Sequence, residues 1–178
     1  MTKTEQQFDA IIAQCREIFI KKSSDYGPAW RVLRPESVTD QIFIKVKRIR
    51  EIQMTGLSKV GDDIEGEFLA IVNYSVMGIV QYVKGCANEV DMTNEQALEL
   101  YDKYVEEAKQ LMICKNHDYG EAWRQMRVSS ITDLIYQKVC RTKQIEDNKG
   151  KTEISEGVDA NYFDMLNYSV FALIKMSE

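Results

Sequence analysis

Punctuation is scarce in this chain. Two prolines and nine glycines in 178 residues leave little punctuation, which favours long helices over many short strands joined by turns. Positive charge is not in excess either. With a formal net charge of -5 there is no basic stripe of the kind a phosphate-backbone binder carries, so no nucleic-acid partner is expected. No apolar run is long enough to span a membrane: the most apolar stretch, 68–83, is interrupted by Asn73, Ser75 and Gln81 and reads as a buried helix. The four cysteines, Cys15, Cys86, Cys114 and Cys140, form no Cys-x-x-Cys pair, which speaks against a zinc site or a disulfide framework and for a reduced, cytoplasmic setting. Met1 leads into the polar run Thr2–Gln7, so no secretory signal is expected. A P-loop, a nucleophile elbow and a Cys/His pair are all missing. The single histidine, His117, is assigned no catalytic role.

What is present is a duplication. Lys22-Ser-Ser-Asp25-Tyr26-Gly27-Pro-Ala29-Trp30-Arg31 returns 93 positions later as Lys115-Asn-His-Asp118-Tyr119-Gly120-Glu-Ala122-Trp123-Arg124. The match continues without a gap to Ile52/Ile145, with sixteen of thirty-one aligned positions identical, and resumes after a one-residue slip at Asn73-Tyr74-Ser75-Val76 and Asn167-Tyr168-Ser169-Val170. Two copies of a unit this long do not make a solenoid; they predict an internal pseudo-dimer about a two-fold axis, with copies at 1–86 and 87–178. At 44% hydrophobic and 29% charged residues, the chain has the composition of a globular protein with a core.

Each copy reads as three helices, giving an all-α bundle of duplicated three-helix units. The first helix spans about 4–22, where Phe8, Ile11, Ile12, Cys15, Ile18 and Phe19 form one apolar stripe, and about 94–115 in the second copy, where Thr93 and Gln96 have capping-box form. The Asp-Tyr-Gly-x-Ala-Trp block is expected as a loop, with or without a short helical turn, whose glycine takes φ > 0. In it Trp30 and Trp123 anchor on the bundle, and Asp25 and Asp118 hold the turn by accepting from backbone N–H groups or pairing with a nearby cation. Second helices are expected to start at the capping serines Ser37 and Ser130. Third helices cover about 62–84 and 155–176 and are apolar nearly all round in their second halves, which marks them as central.

On the third helix of the second copy, Glu156, Asp159, Asp164 and Asn167 fall on one face roughly 140° wide. Three carboxylates and an amide so placed suit a hard divalent cation, Mg²⁺ or Mn²⁺, or else a solvated face favourable to the helix dipole. The first copy offers Asp62, Glu65 and Asn73 but has Ala70 in the place of Asp164, so its metal would be weaker. The second helices carry the opposite charge, Lys45 and Arg48 in the first copy and Lys138 and Arg141 in the second. With Arg31 and Arg124 beside the tryptophans, these suit either clamping phosphates or pairing with the third helix. Lys22, Asp25 and Tyr26, and Lys115, Asp118 and Tyr119, complete the candidate phosphate- or nucleotide-binding sets.

Taken together, Lys-x-x-Asp-Tyr-Gly-x-x-Trp, Lys-x-x-Arg and Asp-x-x-Asn-Tyr resemble the bacterial and phage family called nucleotide modification associated domain 1. Both copies share the resemblance. The arrangement is also remotely similar to the all-α nucleoside triphosphate pyrophosphohydrolases of the MazG type, although Lys and Arg stand where those carry Glu-x-x-Glu. The resemblance implies a nucleotide or other phosphorylated small molecule as partner, Mg²⁺ or Mn²⁺ as cofactor and a pyrophosphohydrolase-like activity, with oligomerisation left open. The alternative is a non-enzymatic helical interaction or assembly module. Lining of a pocket by Glu156, Asp159 and Asp164 together with the basic pair favours the first reading, and a flat exposed face the second.

Overall fold

The computed structural model describes residues 1–56 and 64–178. Among them are six α-helices and no strand: α1 (Lys3–Tyr26), α2 (Pro35–Thr55), α3 (Ile64–Lys84), α4 (Asn94–Tyr119), α5 (Val128–Asp147) and α6 (Val158–Ser177), with short 3₁₀ turns at Ala29–Val32 and Ala122–Gln125. The expected all-α duplication is therefore what is found. The stretch 57–61, which reads from its sequence as a polar connection, and Asp62 lie outside the described residues.

Several helix ends differ from expectation. α1 and α4 run on through Asp25-Tyr26 and Asp118-Tyr119, so the repeated block begins as helix rather than loop. Gly27 (φ 69°) and Gly120 (φ 61°) end them at positive φ, which only glycine adopts without strain. Capping boxes start both helices, Thr2 with Glu5 and Thr93 with Gln96. α2 and α5 begin earlier than Ser37 and Ser130, with Arg34 and Arg127 as caps that make no side-chain bond. Pro35 at the first helical position needs no donor there, and Thr39 and Thr132 bond back to the carbonyls of Pro35 and Val128 inside the helix.

α2, α3, α5 and α6 form a central four-helix layer in which α3 packs along α6 and α2 along α5. α1 and α4 lie against each other, and each touches both α3 and α6. Every helix thus meets its own counterpart, the pattern of an isologous two-fold interface. Ion pairs repeat across the axis: Arg16–Asp102 (2.8 Å) is answered by Lys109–Asp9 (2.9 Å), and Arg50–Asp133 (3.0 Å) by Lys143–Asp40 (3.3 Å). Arg50 lies over the Tyr136 ring and Lys143 over that of Phe43, again as counterparts. Most of these groups are partly exposed, so each pair contributes little energy and mainly fixes register.

Stability comes from the core beneath them. One apolar cluster draws on all six helices, including Phe8, Ile42, Phe68, Ile71, Tyr101, Ile135, Tyr162 and Leu166. Each such side chain contributes about 1.5–3 kcal/mol on full burial. The two halves of the chain therefore share a single core. At its tightest point the Tyr162 ring sits against Gly78, where an added Cβ would lie 2.5 Å from a ring carbon. No described helix is long and apolar enough to cross a membrane.

Candidate functional site

Beside α6 of the second copy is a cavity of about 370 Å³, lined among others by Lys115, Tyr119, Lys138, Glu156, Asp164 and Asn167. These are six of the predicted second-copy residues. At its centre is Asp164, a buried carboxylate between two ammonium groups: Lys115 Nζ donates to Oδ1 (2.8 Å) and Lys138 Nζ lies 2.9 Å from Oδ2. Burial works against the Lys115 charge, but the hydrogen bond and charge of Asp164, with Glu156 farther off, hold its pKa above the ordinary lysine value. Lys138 and Glu156 also line an adjoining polar cavity of about 580 Å³, together with Arg141. Arg141 has no ion-pair partner among the described residues.

Three of the predicted second-copy residues are placed elsewhere. Asp118 is exposed and, among the described residues, pairs only with the exposed His117 (3.2 Å). Arg124 spends its guanidinium on Glu121 (3.0 Å), Glu178 (3.1 Å), Thr4 and Gln7 (both 2.7 Å), tying the second 3₁₀ turn to α1. Asp159, in the first turn of α6, lines neither cavity. Glu156 does line both, but not as a helical residue: α6 starts at Val158 with Gly157 as its cap, so the single-face argument did not apply to Glu156.

The expected metal set does not fit this geometry. Among the described residues no three His, Cys, Asp or Glu side chains gather where they could hold a metal ion. Both Asp164 oxygens face lysines, whose charge opposes a cation at that point.

In the first copy the equivalent cavity, about 440 Å³, is lined by Lys22, Tyr26, Trp30, Ala70, Asn73 and Tyr74 among others. Lys45 and Arg48 instead meet Glu67, at 3.6 and 3.3 Å. Glu67 occupies the position of Asn161, one turn before Ala70, so the acid lost at 70 has a substitute a turn earlier that meets the α2 cations. The repeat alignment holds that signal as a Glu opposite an Asn. Arg31 is buried and bonded to Asp91 (2.9 Å), Gln81 and the Gly85 carbonyl (2.8 Å), which makes it a structural tie to the inter-copy linker. Glu65 and Asp25 are exposed, and Asp25 makes no hydrogen bond or ion pair among the described residues, against the expected turn-holding role.

Both tryptophans are core anchors, as expected. Trp123 stacks on Phe171 (4.2 Å between centroids, 4° between planes), and Arg124 lies 4.4 Å from its ring centroid. With these contacts on Trp123, the aromatic rings left to a ligand in the second cavity are Tyr119, which is exposed, and Tyr168, which is half-buried.

The two cavities also differ in what they leave unpaired. Asn73 and Asn167 each donate to a carbonyl of a first-type helix, Cys15 O (3.0 Å) and Ala108 O (3.1 Å). Asn73 Oδ1 accepts from Tyr101 OH (2.7 Å), but the counterpart of Tyr101 is Phe8, and Asn167 Oδ1 is buried without a partner. The indoles show the reverse. Trp123 Nε1 donates to Asn116 Oδ1 (3.2 Å), whereas the counterpart of Asn116 is Ser23 and Trp30 Nε1 is buried without an acceptor. One cavity wall thus holds a spare acceptor, the other a spare donor.

A duplicated six-helix bundle with paired cavities defines the class. Within it, the chain belongs to the nucleotide modification associated domain 1 family, whose model matches residues 22–82 and 115–176. No curated protein and no solved structure matches the chain. The remoter likeness to MazG-type hydrolases gains no support from these comparisons.

Proposed function

We propose that the second copy binds a nucleotide across its two adjoining cavities. The observation that carries this reading is the Lys115–Asp164–Lys138 cluster where an aromatic-walled cavity meets a polar one. A base and sugar would lie between Tyr119 and Tyr168, and phosphates would run past Lys138 toward Arg141. Each ammonium has three donors, so a lysine can keep its bond to Asp164 and still donate to a phosphate oxygen. Asp164 then acts as a positioning residue that holds two flexible cations in place before the ligand arrives, lowering the ordering cost of binding.

The family description, which associates this domain with nucleotide modification, agrees with such a ligand. A divalent ion would enter on the triphosphate rather than wait in the protein. Isothermal titration with deoxynucleoside mono- and triphosphates, in Mg²⁺ and in EDTA, tests the reading. Lys138→Gln removes one charge-assisted hydrogen bond, worth about 1.5–3 kcal/mol, and should weaken binding roughly 10- to 100-fold, whereas Lys45→Gln in the first copy should change little. Wild-type affinity in Lys138→Gln, or no nucleotide bound at all, would leave the helical interaction module as the better account.

A further inference from the structure

The first-copy cavity has its own chemistry. With Phe19, Leu33, Leu69 and Met77 in its apolar wall, the cavity of about 440 Å³ falls within the usual range of small-molecule sites. Ala70 stands where the second copy has Asp164. Lys22, the counterpart of Lys115, consequently has no hydrogen-bond or ion-pair partner among the described residues, and no described lining residue is a carboxylate. Trp30 is 8% exposed and its Nε1 is a buried donor without an acceptor. An unpaired buried donor costs about 1–3 kcal/mol until something accepts from it. Asn73, the other amide on the wall, has its donor and acceptor engaged by Cys15 O and Tyr101 OH. Among its described lining residues this cavity therefore has neither a free acceptor for Trp30 nor a negative charge.

From these features we infer that the first-copy cavity is a binding site for a planar aromatic anion, an aryl carboxylate or aryl phosphate. Its ring enters among Phe19, Tyr26 and Tyr74, and its anionic group meets Lys22, with an acceptor atom for Trp30 Nε1. Loss of the carboxylate at position 70 is what makes this possible, because a buried Asp there would neutralise Lys22 and repel the ligand. The inference uses first-copy residues alone and does not rest on the nucleotide reading of the second copy.

Calorimetry on the full chain with 2-naphthoate, 2-naphthyl phosphate and 2-naphthylmethylammonium tests it. At least one anion should bind at least tenfold more tightly than the cation, and the better of the two identifies the head group. Lys22→Gln, at an exposed position that leaves the fold intact, and Ala70→Asp, which installs the second copy's residue, should each weaken that anion about tenfold or more. Lys115→Gln should leave it unchanged. In Trp123→Phe the remaining indole, Trp30, should change its fluorescence on binding. Equal binding of cation and anion, no binding of either anion below about 1 mM, an unaltered affinity in Lys22→Gln, or a loss produced by Lys115→Gln instead would each overturn the inference.

Discussion

Glu146 gives the clearest quantitative handle on the fold. It lies on α5 against α2, where its Oε2 accepts from Thr39 Oγ1 (2.9 Å), and Thr39 also meets Tyr162 OH from α6 (2.5 Å). Burial first, and then the charges of Glu36 and Asp40 on α2 and of Asp147 on α5, push its carboxyl from 4.5 up to about 7, against the lowering effect of the Thr39 bond. Lys143, one turn earlier on α5, is held by Asp40. The folded state therefore holds the Glu146 proton more tightly than the unfolded chain. The associated stability is fully present below about 4.5 and is lost as pH rises through about 7.

At about 1.4 kcal/mol for each unit, the shift corresponds to roughly 3 kcal/mol, and partial solvent access reduces that to about 2 kcal/mol. Glu146→Gln keeps an acceptor for Thr39 and cannot ionise; the first copy already has Gln53 at this position. Urea denaturation followed by circular dichroism from pH 4.5 to 8.5 should show equal stabilities at the acid end. The variant should be more stable by about 2 kcal/mol at the alkaline end, roughly 4–8 °C in Tm for a chain of this size. A difference between variant and wild type that does not change with pH would refute the reasoning, because only the ionisation of Glu146 separates them.

Two further substitutions probe the packing about the pseudo-two-fold. Gly78→Ala in mid-helix would ordinarily stabilise by about 1 kcal/mol, but its Cβ would meet the Tyr162 ring at 2.5 Å, so a loss of about 1–3 kcal/mol is expected, and a urea midpoint at or above wild type would contradict it. Phe8→Tyr supplies the hydroxyl that Tyr101 gives to Asn73, now for the unpartnered Asn167 Oδ1. It should stabilise by about 1 kcal/mol in the same assay, and destabilisation would mean that the second copy has closed over the space a hydroxyl needs.

How far the sequence could be read depended on the range of the interactions involved. The six helices were legible because apolar spacing is a local property, and the pseudo-symmetry because the repeat is written in the residues. The positive φ of Gly27 and Gly120 followed from the same logic. Helix starts at Ser37 and Ser130 were misplaced because Pro35 and the back-bonding of Thr39 and Thr132 act within the helix and leave no mark on the serines. At the site, Lys115, Lys138, Glu156, Asp164 and Asn167 were found as a set, but their roles were not. Asp164 meets lysines from two other helices, and Arg124 is claimed by Thr4, Gln7 and Glu178, more than fifty residues away in either direction. Such partners are chosen by tertiary packing, which a helical wheel does not contain.

The duplication explains why the two cavities were free to diverge. The helices that carry their walls, α3 and α6, bury their apolar sides against each other in a shared core, so a change there must be answered in both copies. The cavities lie at the outer edges of those helices, between a first-type helix and a 3₁₀ turn of the same copy, where a change in one leaves the other untouched. Across the axis the reciprocal ion pairs Arg16–Asp102 and Lys109–Asp9 are retained. Within the cavities, by contrast, Asp164 faces Ala70, Asn116 faces Ser23, and the acid serving the α2 cations has moved to Glu67. With the two ligands proposed above, this symmetric frame would set two different small molecules at fixed separation, one at an acid between two lysines and the other at a lysine with no acid among the described lining residues.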